Sequence, residues 1–231
     1  MPEKKRPKRR TAATEGAVFD ILRAWHGDPA WWPADSRLEV IVGAILTQNT
    51  AWTNVVKAMT ELKQRHLLSV RALMRTPLET LAEAVRSSGY YRLKAQRLKN
   101  VAAWIQRRGG IAALARLKTP ELRQQLLAVC GIGPETADDI LLYAFERPVF
   151  VVDAYTRRLF ARLGLIAGTE PYEVLRARFE AALPPNPRIL NEYHALVVIH
   201  AKAHCRVQPL CAACPLGRHC SQGLGNKPGR Y

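Results

Sequence analysis

The sequence predicts an all-α protein, and three observations support this class. Apolar residues recur at the three- and four-residue spacing of amphipathic helices along most of the chain. Helix-start and helix-stop signals separate these segments: Ser36 and Glu39 form a capping box, and Gly109-Gly110 ends a helix. No stretch alternates between apolar and polar residues for long enough to predict a strand of ordinary length. We therefore expect helices joined by short turns.

The N-terminal segment is basic. Residues 1–16 contain six Lys and Arg residues among the first ten and show no apolar periodicity, which predicts a disordered basic arm. A first amphipathic helix is predicted from residue 17 onwards. The loop after this helix contains Trp31, Trp32 and Pro33.

The next segments predict two helices with a polar joint. Apolar spacing runs from Leu38 to Leu46 and resumes at Trp52, and the polar sequence Thr47-Gln48-Asn49-Thr50 lies between them. Two further helical patterns follow, near 69–87 and 92–108, and a loop that contains Gly89 and Tyr90 separates them.

The charge balance indicates a polyanionic partner. The formal net charge is +16 at pH 7, and the first ten residues contribute only five of these charges. Basicity spread over the body of the chain suits nucleic acid, and a general solubility charge is the alternative. No apolar run approaches the roughly 18 residues that span a bilayer, so we expect a cytoplasmic protein without a membrane partner.

A helical hairpin is predicted over residues 120–146. Thr119 caps the first helix, Pro134 begins the second, and Gly131-Ile132-Gly133 joins them. Glycine permits positive φ and lets another backbone approach closely, while free N–H groups at the start of a helix favour an anion. In a basic chain the expected anion is a phosphate of DNA.

Four cysteines near the C terminus predict a metal site. Their spacing is Cys205-x5-Cys211-x2-Cys214-x5-Cys220. Stable disulfides are disfavoured in the cytoplasm, so thiols this close in sequence indicate metal ligands. Zinc loops usually contain two short C-x2-C pairs, and a four-thiolate set with uneven intervals also suits an iron–sulfur cluster. The spacing leaves zinc and iron–sulfur both open.

Asp153 precedes the predicted helix 154–163 and is suited to cap it. The N–H groups and the positive end of that helix would keep its carboxylate ionised. A carboxylate in a dry pocket can stabilise a developing positive charge or activate water. Structural and catalytic roles are therefore compatible at this position.

The hairpin, Asp153 and the cysteine loop, in this order, resemble the endonuclease III superfamily of helix-hairpin-helix DNA glycosylases. The resemblance covers roughly residues 17–220, with five rather than the commoner six residues in the first cysteine interval. It implies a DNA-binding groove between two lobes. The lobes are a six-helix lobe (37–148) and a cluster lobe (17–36 with 149–220), followed by a C-terminal tail (221–231).

The resemblance also implies roles for individual residues. Asp153 would be catalytic, and a [4Fe–4S] cluster would bind to Cys205, Cys211, Cys214 and Cys220. Gln48 would fill the gap left by an extruded base, Tyr90 would be the inserted wedge, and Lys202 would face phosphates. Phosphate contacts are expected from the turn amides of Gly131, Gly133 and Glu135. Basic residues after the wedge either line the DNA backbone or form a solvated helix face: Arg92, Lys94, Arg97 and Lys99.

Glu135 distinguishes this chain from the bifunctional members. These enzymes have a lysine at this place in the hairpin, and its amine attacks the sugar and leads to strand cleavage. A glutamate cannot form an imine, so the resemblance is strongest to the monofunctional 3-methyladenine DNA glycosylases of endonuclease III type, with Glu135 as a second candidate catalytic residue. Alkylated purines carry positive charge and suit an aromatic pocket, expected from Trp31, Trp32, Pro33 and Trp52.

Double-stranded DNA with a damaged base is the expected partner, bound by a monomer near the nucleoid. A mismatch uracil or thymine glycosylase is the main alternative, since such members also lack the lysine. A noncatalytic DNA-binding protein with a redox-sensing iron–sulfur cluster is the alternative from another class.

Overall fold

A computed structural model describes residues 13–29, 31 and 34–225, with Leu224 and Gly225 as backbone only. In this part of the chain every regular element is a helix, which confirms the all-α prediction. Trp32, Pro33, most of the predicted arm (1–12) and the end of the predicted tail (226–231) lie outside the described residues.

Thirteen α-helices are described, with a 3₁₀ turn at Arg86–Ser88 and a π-helical turn at Ile140–Ala144. The helices are α1 Glu15–His26, α2 Arg37–Thr47, α3 Trp52–Gln64, α4 Val70–Arg75, α5 Leu78–Ala84, α6 Tyr91–Arg107, α7 Ile111–Leu114, α8 Thr119–Leu127, α9 Pro134–Asp139, α10 Ala154–Arg162, α11 Tyr172–Ala182, α12 Pro187–Ala203 and α13 Ser221–Gly225.

Three predicted boundaries were wrong. The helix α1 begins at Glu15, within the predicted arm, because the Thr14 hydroxyl accepts a hydrogen bond from Ala17 N at 3.2 Å. The single pattern near 69–87 forms two helices and a 3₁₀ turn, since Pro77 cannot continue a helix. In the hairpin, Lys118 rather than Thr119 is the N-cap of α8.

The chain divides into two compact units. The described parts of Met1–Pro29, Val152–Pro184 and Glu192–Tyr231 form the first, which we call the cysteine unit. The second, the hairpin unit, consists of the described residues in Ala30–Val151 and Pro185–Asn191. No described helix is long and apolar enough to cross a membrane.

The core of the hairpin unit is built on α2 and α6. Every residue of α2 from Leu38 to Leu46 is buried, and this helix packs on α3, α6 and the π-helical turn. The helix α6 packs on α4 and α5 and buries one apolar stripe, Ala95, Leu98, Val101, Ala102 and Ile105. This packing holds the polar joint, the Tyr90 turn and the hairpin on one framework.

The core of the cysteine unit is aromatic. The ring of Phe160 lies edge-on to Phe179 at 4.7 Å and to Tyr193 at 6.2 Å, measured between ring centroids. The Tyr193 hydroxyl donates to the Glu15 backbone oxygen at 2.6 Å, which ties α12 to α1. These contacts fix α10 and α12, the helices next to Asp153 and the cysteines.

Candidate active site

Asp153 is the N-cap of α10, as the sequence predicts. Its Oδ1 accepts a hydrogen bond from Thr156 N at 2.7 Å, and its Oδ2 lies 3.5 Å from His194 Nε2. Burial alone would raise the pKa of Asp153, but the hydrogen bond and charge of His194 and the bonds from Thr156 hold this pKa below its usual value. The Asp153 side chain is only 13% exposed, and its carboxylate is ionised at neutral pH.

His194 was missed by the sequence argument. It lies on α12, and only 4% of the residue is exposed. A histidine among the apolar residues of a helix has the pattern of a core residue, so the pattern carries no functional signal. Only the fold shows that this imidazole lies beside Asp153.

Lys202 lies within the electrostatic reach of Asp153. Burial lowers the pKa of Lys202, and the charge of Asp153 opposes that shift. The Lys202 Nζ also lies 5.7 Å from the centroid of the Tyr155 ring. A cation at this position balances the charge of the carboxylate.

The two glycines of the hairpin turn have different roles. Gly131 has a φ of +97°, and a Cβ placed there would lie 2.8 Å from Arg97 Cδ, so no other residue fits without a shift. Gly133 has an ordinary φ of −93°, and the space that a Cβ would occupy is open. The expectation of positive φ holds only for Gly131, and the close neighbour is a side chain rather than a backbone.

A buried ion pair holds the two hairpin helices together. Arg123 of α8 donates from Nε to Asp138 Oδ1 at 2.7 Å and from Nη2 to Oδ2 at 3.1 Å. Asp138 is fully buried. Glu135, in the first turn of α9, is exposed to solvent. The hairpin thus presents a carboxylate on a rigid support.

Gln48 follows α2 and is bound to the hairpin. Its Nε2 donates to Gly131 O at 3.1 Å and to Thr136 Oγ1 at 2.9 Å, and its Oε1 accepts from Arg97 Nη1. This network joins the polar joint to the hairpin turn. The gap-filling role of Gln48 stays a prediction.

The predicted wedge, Tyr90, is 68% exposed and lies at the start of α6. Its φ of 45° is in the left-handed region, which is strained for a residue other than glycine. An exposed aromatic ring on a strained turn suits insertion between bases.

Trp52 begins α3 and lines a cavity of about 210 Å³ with Gly43, Val56 and Met59. Trp31 is not among the described residues that line this cavity. The aromatic pocket expected from Trp31, Trp32, Pro33 and Trp52 therefore stays a prediction.

The four predicted metal ligands line one pocket of the cysteine unit. All four are free thiols. Apolar residues also line this pocket, namely Leu159, Leu163, Pro209 and Leu216. Burial raises the pKa of the Cys214 thiol, and the nearby charges of the other three cysteines raise it further. Among the described residues, no group of three or more His, Cys, Asp or Glu side chains is arranged to hold a single metal ion.

Two further side chains contact the cysteine loop. Arg162 Nη1 lies 3.3 Å from Cys205 Sγ and also donates to the backbone oxygen of Arg206, and Nη2 donates to the backbone oxygen of Val207. His200 Nε2 lies 3.4 Å from Cys214 Sγ. Burial, together with His204 and His26, lowers the pKa of His200 to about 3, so this imidazole is neutral.

Comparison with known proteins gives the family. The profile of the HhH-GPD superfamily of base excision DNA repair proteins matches residues 42–185. The chain belongs to this superfamily. The protein named "Putative DNA repair glycosylase MJ1434" from Methanocaldococcus jannaschii is 46% identical over 206 residues, which cover 88% of this chain and 94% of that protein. Endonuclease III of Sulfolobus acidocaldarius is 28% identical and covers 80% of this chain and 82% of its own length.

Solved structures of the HhH-GPD type share the fold. The 3-methyladenine DNA glycosylase MagIII of H. pylori, bound to 1,N6-ethenoadenine, is 27% identical with a TM-score of 0.72, and the match covers 81% of this chain and 97% of that one. A non-covalent endonuclease III–DNA complex, 22% identical, has a TM-score of 0.79 over 92% of this chain and 97% of that one. The resemblance to endonuclease III-like glycosylases is confirmed.

The HhH-GPD match includes Gln48, Tyr90, Glu135 and Asp153, and it ends before the cysteine loop. The chain is therefore a base excision DNA glycosylase by family.

Proposed function

We propose that this protein is a monofunctional DNA glycosylase that extrudes a damaged base from double-stranded DNA and releases it by hydrolysis. The observation that carries this proposal is the carboxylate of Asp153, which is largely shielded from solvent yet held ionised by Thr156 and His194. Such a group suits a reaction in which positive charge develops on the sugar.

Asp153 has two roles in the proposed reaction. Its charge stabilises the oxocarbenium-like sugar as the bond between C1′ and the base nitrogen breaks, and it orients the attacking water. The water oxygen then forms a bond to C1′, and its proton passes by way of Asp153 to solvent. A cationic alkylated base leaves as a neutral molecule, so it needs no strong acid.

Glu135 supports hydrolysis without strand cleavage. The first turn of the second hairpin helix presents a carboxylate, where bifunctional relatives present an amine. A carboxylate cannot form the imine that precedes strand cleavage. In this proposal Glu135 contacts the sugar or polarises the water.

The proposed substrate is an alkylated purine such as 3-methyladenine. Trp52 lines a cavity. The other aromatic and apolar candidates for stacking on a cationic base are Trp31, Trp32 and Pro33. The likeness to the H. pylori 3-methyladenine DNA glycosylase supports this choice. On the DNA side we propose contacts from Gln48, Tyr90, Gly131, Gly133 and Lys202.

We also propose a [4Fe–4S] cluster on Cys205, Cys211, Cys214 and Cys220. Four free thiols that line one pocket support this proposal, because thiolates are the usual ligands of such a cluster. When bound, the cluster would cross-link the loop and so stabilise it. Anaerobically purified protein is expected to contain iron and acid-labile sulfide, and stoichiometric zinc without iron would contradict this proposal.

Base release from defined duplexes tests the function. Purified protein is expected to release bases from DNA that contains 7-methylguanine, 3-methyladenine or ethenoadenine, and to leave abasic sites that break only after alkali treatment. Borohydride is expected to trap no covalent adduct. Release only from G·T or G·U pairs would favour the mismatch enzyme, and binding without any release would favour the noncatalytic protein. An adduct that is lost with one particular lysine would overturn the monofunctional assignment.

A further inference from the structure

Lys94 is a buried cation in a basic stretch of α6, and such a stretch is typical of a solvated helix face. Only 1% of this residue is accessible, so Lys94 neither lines the DNA backbone nor lies on a solvated helix face, and both alternatives from the sequence were wrong for it. Its Nζ donates to Leu46 O at 2.8 Å and to Ser88 O at 2.6 Å. These two acceptors lie far apart in sequence and belong to different turns.

Both acceptors come directly before a segment that the proposed function assigns to DNA. Leu46 lies in the last turn of α2, two residues before Gln48. Ser88 ends the 3₁₀ turn, two residues before Tyr90. Carbonyls at the ends of helical turns carry partial negative charge and favour a cation. The ammonium group of Lys94 thus links the polar joint to the Tyr90 turn.

Burial is costly for this ammonium group. Burial, followed by the charge of Arg97, lowers the pKa of Lys94 to about 8. The cost is offset by two short hydrogen bonds to backbone carbonyls at the ends of helical turns. An apolar residue would pack in the same space without joining the two turns.

Arg97, one helical turn further along α6, makes the corresponding connection to the hairpin. Its aliphatic stem fills the space beside Gly131, and its Nη1 donates to Gln48 Oε1. Asn100, another turn along, donates from Nδ2 to Cys130 O at 3.1 Å. Three polar side chains spaced three residues apart on α6 therefore connect the joint, the wedge turn and the hairpin.

We propose that Lys94 and Arg97 are positioning residues. They fix the polar joint, the Tyr90 turn and the hairpin relative to one another, so that Gln48 and Tyr90 reach the duplex together. This inference rests on the proposed function, because the relative position of these segments matters only for an enzyme that extrudes a base from the DNA stack. Neither residue contacts the substrate in this account. Their effect is transmitted through Gln48 and the backbone at Leu46 and Ser88.

The test uses two duplexes that differ at one nucleotide. One contains a tetrahydrofuran analogue of an abasic site with 2-aminopurine as its neighbour, and the other is undamaged. The wild-type protein is expected to bind the analogue more tightly and to change the 2-aminopurine fluorescence. Lys94→Met is expected to lower the ratio of the two affinities by about tenfold or more, with affinity for the undamaged duplex nearly unchanged. Arg97→Met, which keeps the apolar stem, is expected to act in the same direction.

Two control variants on α4 separate register from charge and stability. Arg71→Met removes one exposed positive charge from the hairpin unit. Leu73→Ala weakens the packing of the same unit, because this leucine is fully buried. Both are expected to keep the wild-type affinity ratio and fluorescence change at a temperature where all variants are folded. If Lys94→Met does not fold, Arg97→Met gives the same test.

The outcomes distinguish this inference from the proposed function. A wild-type ratio and fluorescence change in folded Lys94→Met and Arg97→Met overturn the inference and leave the glycosylase proposal intact. An equal loss in Leu73→Ala also overturns it, because the effect is then one of stability. A wild-type protein that neither prefers the analogue nor releases a damaged base overturns the proposed function, and the inference with it.

Discussion

The hairpin unit and the cysteine unit hold their candidate functional groups in different ways. In the hairpin unit, Gln48 and Tyr90 lie on turns, and side chains of α6 hold those turns from inside. In the cysteine unit, Asp153 is held by the helix that it caps and by one histidine from α12. Asp153 accepts a hydrogen bond from the helix that it caps, whereas Gln48 and the turn before Tyr90 depend on side chains of α6.

Backbone strain fits this contrast. Two residues near the functional turns of the hairpin unit have positive φ, Asn49 at 52° and Tyr90 at 45°. Each such conformation costs on the order of 1–3 kcal/mol and persists only where the surroundings enforce it. In our proposal, the hydrogen bonds of Lys94 and Arg97 to neighbouring residues supply that enforcement. Asp153, in contrast, has an ordinary extended conformation with φ of −91°.

The largest expected effect tests the local site. Asp153→Asn keeps a side chain that can cap α10 but removes the negative charge. Base release is expected to fall by about a hundred- to ten-thousand-fold, measured under single-turnover conditions, with little change in affinity for undamaged DNA. Asp153→Ser, another good capping residue, is the matched variant and should lose as much. Retention of more than a tenth of the wild-type rate by both would show that Asp153 is only a cap.

The next effect tests how strongly the hairpin depends on the ion pair between Arg123 and Asp138. Asp138→Ala removes the buried carboxylate that pairs with Arg123 and is expected to lower the free energy of unfolding by about 3–5 kcal/mol in urea. The control is Glu61→Ala, which breaks the exposed pair with Arg65 on α3 and is expected to cost about 0–1 kcal/mol. Similar costs for the two variants would contradict the contrast between buried and surface ties.

A smaller effect should appear in the pH dependence of stability. The pKa of Lys94 is lowered to about 8, whereas its value in the unfolded chain is near 10.5. Between these pH values the unfolded state binds more protons, so Lys94 makes the free energy of unfolding rise with pH. The free energy of unfolding of the wild type minus that of Lys94→Met is therefore expected to rise from pH 8 to pH 10.5 and to stay constant below pH 8. Arg71→Met should show no such window.

The sequence predicted helices and the positions of single residues better than it predicted contacts between different helices. The polar joint begins at Thr47, the last residue of α2, and continues to Thr50 before α3, because the loss of apolar spacing marks a change of direction. Asp153 caps α10, because a cap is a local property of the chain. The four cysteines line one pocket, and the metal site that their spacing suggested stays a prediction.

The contacts of Lys94 and His194 could not be predicted in this way. Lys94 lies in a basic stretch that is typical of a solvated face, and only the packing of α6 against α2 turns it inward. His194 lies in an apolar helix and meets Asp153 across a large sequence separation. Periodicity reports burial along one element, whereas a hydrogen bond between elements depends on the whole fold.

The smallest expected effect separates the two glycines of the hairpin. Gly131→Ala should destabilise the hairpin unit, because of its positive φ and the contact with Arg97. Gly133→Ala should change the free energy of unfolding by less than about 1 kcal/mol, since φ is −93° and a Cβ has open space. If a DNA phosphate approaches this amide, the same methyl group should weaken binding to undamaged duplex several-fold. The control Gly16→Ala, in α1 with equally open surroundings, should leave affinity unchanged. Unchanged affinity in Gly133→Ala would place the backbone contact elsewhere, because the fold itself does not require a glycine at this position.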